Sequence, residues 1–238
     1  MRKKFALTLL FASMPLCFPW LSVASDASVA PEIKELQDKD TGVVLKVWSE
    51  GNCEKFGVQE FVPGSDEHRI NVKYDISTKC EVLNFKVQKL PKSQSENNIK
   101  GISKVSDSCK TVYSEQMLKD PVNLVISKLT TSSVMCWNGH TSYFSAPRSA
   151  EATAPLAWNH VIEKAKFTSI GDSYGAFATV TARAKFRTDF VPCKSPNNTY
   201  YMTNSMSSSP NGQYSTGFSN DLRCVPFLVH VDSNHDSY

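Results

Sequence analysis

Between residues 161 and 189 the sequence alternates apolar and polar side chains in two runs, which flank a short turn bounded by glycines. The apolar positions of the second run are Ala178, Val180, Ala182, Ala184 and Phe186, and the positions between them are Thr179, Thr181, Arg183, Lys185 and Arg187. A period of two residues is that of a β-strand, whose successive side chains point to opposite faces. On a helix these polar residues would surround the axis and leave no face for a core. The pattern therefore predicts a long β-hairpin closed by the turn Gly171-Asp172-Ser173-Tyr174-Gly175.

One face of this predicted hairpin is strongly basic. If both strands keep their alternation, five cations project from that face: Lys164, Lys166, Arg183, Lys185 and Arg187. Like charges that lie opposite each other destabilise a sheet. We therefore expect either acidic side chains interleaved from a neighbouring strand or an anionic partner. An anionic glycan, a lipid headgroup or an acidic host surface protein has the required chemistry, and arginine would supply bidentate contacts that lysine does not.

The turn also carries a short motif of catalytic type. Gly171-x-Ser173-x-Gly175 resembles the nucleophile elbow of serine hydrolases of the α/β-hydrolase type. The resemblance implies Ser173 as the nucleophile, with Asp221 and His230 as the preferred acid and base and with Asp189, Asp232 and His235 as alternatives. An elbow needs a helix behind the serine, whereas residues 177–187 alternate as a strand. A hairpin turn that contains a serine is the favoured interpretation, and a secreted serine hydrolase is the alternative.

The first 25 residues have the organisation of a secretory signal peptide. Arg2, Lys3 and Lys4 form a positive start, residues 5–21 are mostly apolar, and Val23-Ala24-Ser25 offers a small-residue cleavage site. No later segment approaches the roughly 20 apolar residues of a membrane-spanning helix. We therefore expect a secreted, extracellular protein, or a periplasmic one in a bacterium.

Six cysteines remain after the signal peptide, and an even number in an exported chain predicts disulfide bonds. Neighbours in sequence are separated by 27, 27 and 31 residues, which favours the pairs Cys53 with Cys80, Cys109 with Cys136, and Cys193 with Cys224. None of these cysteines has the close spacing of a zinc ligand. We expect no metal and no cofactor.

Short strands separated by turn residues predict a mainly β protein, a disulfide-stabilised antiparallel sandwich with little helix. The Ala-, Ser- and Pro-rich residues 145–155 read as a linker or an extended crossover between residues 26–144, with four cysteines, and residues 156–238, with two. One large domain and two small β-rich domains both remain open. The polar leader at 27–40, the Ser-rich segment 205–212 and the tail at 232–238 are expected to be loose, and residues 115–120 to form one helical turn.

Further candidate sites lie outside the hairpin. Trp137 and His140 have the composition of a carbohydrate-binding surface, although a tryptophan packed on the Cys136 disulfide is the favoured alternative. Asn197 begins a glycosylation sequon. The formal charge of +3 includes the three basic residues of the signal peptide, so the mature chain is close to neutral and gives no specific signal for nucleic acid. The sequence favours a non-enzymatic binding or host-interaction protein, such as an effector, a toxin or an adhesion module.

Overall fold

The computed structural model describes residues 32–50, 55–92, 107–171, 177–190, 198–224 and 227–238. These residues form strands and no helix. The strands are β1 (Glu32–Gln37), β2 (Val44–Glu50), β3 (Lys55–Pro63), β4 (His68–Ile76), β5 (Val82–Pro91), β6 (Ser108–Lys119), β7 (Val125–Trp137), β8 (Ser142–Thr153), β9 (Asn159–Gly171), β10 (Ala178–Thr188), β11 (Thr199–Ser208), β12 (Tyr214–Leu222) and β13 (Val229–Ser237).

The strands form two antiparallel sheets, as the sequence predicts. Sheet A has the order β1-β2-β3-β12-β11-β10-β9, and sheet B has the order β5-β4-β13-β6-β7-β8. Burial alternates residue by residue along β10, β11 and β12, so each of these strands turns one face inward and the other outward. The hairpin predicted around residues 171–175 is formed by β9 and β10.

The inner faces of the two sheets enclose two apolar clusters. The larger cluster combines Leu45 and Phe56 of sheet A with Tyr74 and Val231 of sheet B. The smaller cluster includes Met135, Val180 and Met206. Side chains from both sheets therefore share one core, which is the arrangement of a β-sandwich.

Disulfide bonds reinforce this arrangement. Cys109 on β6 and Cys136 on β7 are directly opposite residues, with their Cα atoms 4.1 Å apart, and they form the predicted bond. Cys80 and Cys224 each take part in a disulfide bond as well. Cys53 and Cys193, their predicted partners, lie outside the described residues.

The expected linker is mostly strand. Residues 142–153 form β8, which pairs with β7 from Lys128 to Trp137. The strands before and after residues 145–155 contribute to both sheets, and Pro31–Tyr238 forms one compact unit. The part of this segment up to Thr153 is therefore a paired edge strand of sheet B, and the chain then crosses to β9 in sheet A.

Other segments that were expected to be helical or loose form strands instead. Residues 115–119 belong to β6, so the helical turn is not formed there, and residues 32–37 of the leader form strand β1. Residues 205–208 continue β11, and Ser209 is buried. The tail that should fray is β13, which lies between β4 and β6 inside sheet B. In each case pairing with neighbouring strands of the sheet overrides a weak local preference.

Candidate ligand-binding surface

The outward side of the β9–β10 hairpin carries the predicted basic face, with one change of register. Lys166 lies directly opposite Arg183, as expected for a cationic surface. Register shifts on either side of Lys185 place Glu163, and not Lys164, opposite that lysine. A β-bulge of this kind inserts an extra residue into one strand and realigns the side chains beyond it. The basic face is therefore interrupted by Glu163, and the five cations do not all lie opposite one another.

Two of the cations are matched by carboxylates from the hairpin itself. The Lys185 Nζ atom lies 3.6 Å from Oε1 of Glu163, and the Arg187 Nε atom donates to Oδ1 of Asp189 at 3.0 Å. His160 also contacts Asp189 through Nε2 at 2.9 Å. Desolvation raises the pKa of Asp189, but the Arg187 and His160 contacts outweigh it and hold that pKa below its usual value. The expected interleaved acids are thus present, although they come from β9 and the end of β10.

Arg183 and Lys166 have no such partner. Within the described part of the chain, no carboxylate lies within 4.0 Å of either side chain, and the same holds for the exposed Lys164. The Arg183 guanidinium lies over the ring of Tyr201 on β11, with its Cζ atom 3.6 Å from the ring centroid. A cation–π contact orients an arginine without neutralising its charge. Arg183 and Lys166, which we call the anion pair, therefore form an uncompensated cationic site.

The strand beside the anion pair is rich in hydroxyl groups. Thr181 and Ser205 lie within hydrogen-bonding distance at 3.3 Å between their Oγ atoms, and Thr179 and Ser207 do so at 3.1 Å. These four side chains are partly exposed on the outer face of sheet A. Hydroxyls can both donate and accept hydrogen bonds, so this surface can solvate a polar ligand next to the cations.

Trp137 and His140 do not form a joint platform with a free aromatic face. The Trp137 ring covers Gly212 so closely that a Cβ atom at that glycine would lie 2.5 Å from the indole. Lys110 lies between Trp137 and Tyr214, at 5.2 and 4.5 Å from their ring centroids, and bonds Asp66 at 2.6 Å. Trp137 therefore packs against the smaller apolar cluster, as half-buried structural residues do. His140 is exposed at the β7–β8 turn.

Asp221 and His230, the preferred acid and base of the hydrolase motif, are not brought together. Ser173 lies outside the described residues, and the chain resumes as strand β10. Asp221 is on the outer face of sheet A, whereas His230 is on the outer face of sheet B, where its Nδ1 atom contacts Asp75 at 2.6 Å. Side chains on opposite outer faces of a sandwich cannot act on one substrate. The sequon residue Asn197 also lies outside the described residues.

The structure reveals a buried acid–imidazole–hydroxyl group that the sequence analysis missed. His235 Nε2 lies 2.6 Å from Oε1 of Glu60, and His235 Nδ1 lies 2.6 Å from Oγ1 of Thr216. Glu60, His235 and Thr216 are 2, 3 and 2% exposed, so no substrate reaches them. Ser233 extends the network to the other Glu60 oxygen. The alternation of Val229, Val231, Ser233 and His235 could have predicted an inward-facing His235. It was overlooked because residues 232–238 were expected to be a loose tail.

Two kinds of feature are absent from the residues that the structure describes. No helix is long and apolar enough to cross a membrane. No group of three or more His, Cys, Asp and Glu side chains among these residues is arranged to hold a metal ion. In comparisons with known proteins, no family model matches the chain, and no curated protein or solved structure is significantly similar to it.

Proposed function

We propose that this protein is a non-enzymatic, secreted binding protein that takes an anionic group of an extracellular partner at the anion pair. The observation that carries the proposal is that no carboxylate among the described residues lies within 4.0 Å of Arg183 or Lys166, although Lys185 and Arg187 on the same hairpin have one. Two adjacent cations repel each other unless a counter-charge is present. A bound sulfate, carboxylate or phosphate group would supply that charge.

The geometry of Arg183 supports an anion contact. Stacking on Tyr201 restricts the rotation of the guanidinium, so less side-chain entropy is lost when it binds a ligand. The edge of a stacked guanidinium still presents N–H donors that match the paired oxygens of an anion. Lys166 adds a second charge from the neighbouring strand.

Export to an oxidising compartment is part of the proposal. It is supported by the signal-peptide pattern of the first 25 residues and by the disulfide between Cys109 and Cys136. A stable disulfide-linked sandwich with partner-facing polar strands suits a protein that acts outside the cell, as effectors, toxins and adhesion modules do.

Neutralising the anion pair should weaken binding to a polyanion. For Lys166→Gln with Arg183→Gln, we expect heparin affinity to fall about tenfold or more, since each lost charged hydrogen bond removes roughly 1.5 to 3 kcal/mol. The matched control is Lys185→Gln with Arg187→Gln, which removes the same charge from positions that already have acids. We expect the control to change affinity less than about threefold. Isothermal titration calorimetry at two salt concentrations measures both.

The outcome of this comparison decides the proposal. Equal losses in the two double variants would mean that heparin responds only to overall charge, and no loss in either would remove the anion pair as a site. The same variants are also tested on vesicles that contain phosphatidylserine. If binding to the vesicles depends on the anion pair and binding to heparin does not, the anion is a lipid headgroup.

A further inference from the structure

We propose that the partner is a linear acidic polysaccharide, and that it lies across the strands of sheet A along one row of outward side chains. This inference rests on the proposed function, because the anion pair forms one end of the row. The row is defined by strand registers and contains one residue from each of six neighbouring strands: Lys46, Gln59, Ser219, Thr203, Arg183 and Lys166. We call it the transverse row.

The registers that define the transverse row are continuous from strand to strand. Lys46 on β2 pairs with Gln59 on β3, and Gln59 pairs with Ser219 on β12. Ser219 then pairs with Thr203 on β11. Thr203 pairs with Arg183 on β10, and Arg183 with Lys166 on β9. With neighbouring strands about 4.8 Å apart, the row is about 24 Å long, which suits a stretch of several sugar rings better than a single small ligand.

The chemistry of the row changes along its length. Cations lie at its two ends, and the amide of Gln59 and the hydroxyls of Ser219 and Thr203 lie between them. At the first end, Lys46 is 3.9 Å from Glu35, and both side chains are about half exposed. Such a surface ion pair contributes little and leaves Lys46 available to a ligand. The row therefore fits a polymer with separated negative charges and hydroxyl groups between them.

Aromatic side chains flank the row on both sides. Trp48 and Tyr201 occupy the neighbouring row on one side, and Phe61, which is 48% exposed, occupies the row on the other. The Trp48 indole lies against Gly57, where an added Cβ atom would be 2.0 Å from the ring. Aromatic faces combine apolar area with polar edges, and the flat C–H face of a sugar ring packs on such surfaces. The transverse row therefore has aromatic side chains in the neighbouring rows on both sides.

Charge within the flanking row also limits the ligand. Asp221 lies between Gly57 and Tyr201, next to the middle of the transverse row. A carboxylate at this position repels negative groups from the centre and favours them at the two cationic ends. A densely charged surface such as an anionic bilayer cannot avoid the centre in this way.

A chain-length experiment tests whether the far end of the row is used. We propose titrating the Lys46→Gln, Gln59→Ala variant with size-fractionated oligosaccharides of two kinds. Heparin oligosaccharides carry sulfate and carboxylate groups, and alginate oligosaccharides carry carboxylate groups. We expect affinity for chains that span the row to fall about fivefold, and affinity for a disaccharide to be unchanged. Lys166→Gln with Arg183→Gln should weaken both lengths.

The control is Lys86→Gln with Gln88→Ala, the same two residue types placed two positions apart along β5 on the outer face of sheet B. This control should bind both lengths as the parent does. Far-ultraviolet circular dichroism and the melting temperature establish that every variant is folded.

Each result bears on one of the two proposals. If the Lys46 and Gln59 variant binds long chains as well as the parent while the anion-pair variant is weakened, the transverse row is overturned and the anion pair stands. If the anion-pair variant is not weakened, the proposed function fails. The proposal of a polysaccharide partner would be overturned if polyglutamate bound more tightly than either polysaccharide. It would also be overturned if neither heparin nor alginate bound at all.

Discussion

Asp232 shows how one side chain ties three strands of sheet B together. It lies on β13, accepts a hydrogen bond from Asn71 on β4 at 2.7 Å, and contacts the Lys119 Nζ atom on β6 at 2.9 Å. Its side chain is only 16% exposed. Burial by itself raises the pKa of Asp232, but Lys119 and Asn71, with a further contribution from Lys73, outweigh burial and leave the pKa lowered. Folding is therefore coupled to the ionised form of this carboxyl group.

Asp232→Asn should destabilise the protein in a pH-dependent way. The folded pKa is below the unfolded value of about 3.9, so the contribution is fully present above pH 4 and is lost as the pH falls through the folded pKa. We expect the free energy of unfolding to drop by about 2 kcal/mol at pH 7, and the difference from the parent to shrink below about pH 4. Urea unfolding at several pH values measures this. Asp221→Asn, on the exposed outer face of sheet A, is the control and should have little effect; a deficit that persists unchanged at acid pH would contradict the ionic role.

At the scale of elements, the β6–β7 hairpin is the most extensively paired unit of sheet B. Its register runs from Ser108 with Trp137 to Lys119 with Val125, and the Cys109–Cys136 disulfide lies near the open end. The closed loop contains the whole hairpin turn, with a sequence separation of 27 residues. The disulfide therefore restricts the unfolded chain over the same segment that the sheet pairs in the folded state.

Replacing both Cys109 and Cys136 with alanine should lower the free energy of unfolding by about 3.5 kcal/mol, according to the loop-entropy model. Because the strands remain paired along their length, we expect the variant to keep its β-sheet circular dichroism signal and to unfold cooperatively at a lower temperature. Differential scanning calorimetry measures the change. A parent with these two cysteines intact, compared under the same redox conditions, is the control. Loss of the folded state would show that the disulfide is required for the hairpin itself.

At the scale of the whole molecule, the order of strands in space departs widely from their order in the chain. The last strand, β13, pairs with β4 over Val229 to His235 and with β6 over His230 to Ser237. It also places His235 against Glu60 of sheet A. The first strand, β1, pairs only with β2 at the edge of sheet A and has mostly exposed side chains. The two ends of the described chain are therefore unequal in their contribution to stability.

Deleting residues 229–238 should abolish cooperative folding, because β4 and β6 would lose their shared neighbour and Glu60 would remain buried without its imidazole partner. Deleting residues 32–37, a strand at the sheet edge, should leave a folded protein with a lower melting temperature. Circular dichroism melts and one-dimensional NMR dispersion distinguish these outcomes. A cooperative transition in the protein without β13 would contradict its central role.

Much of the secondary structure and the pairing of Cys109 with Cys136 follow from sequence alone. Alternation in residues 178–187 is a local property, and a strand whose two faces differ in polarity can bury only one of them. The same reasoning assigned Arg183, Lys185 and Arg187 to an outward face. Cysteine spacing identified a bond between adjacent strands, since strands joined by a hairpin lie side by side.

Only the tertiary structure decided which strands meet. Periodicity does not encode pairing across long separations, such as β3 with β12 or β4 with β13, because any strand with compatible faces satisfies it. The register shifts that put Glu163 opposite Lys185 appear only in the pairing of β9 with β10. Polar Ser233 and His235 look like a solvated tail until Glu60 and Gln116 hydrogen-bond them inside the sandwich. The transverse row likewise exists only because strands distant in sequence are aligned in one sheet, where their combined registers bring six separate side chains into line.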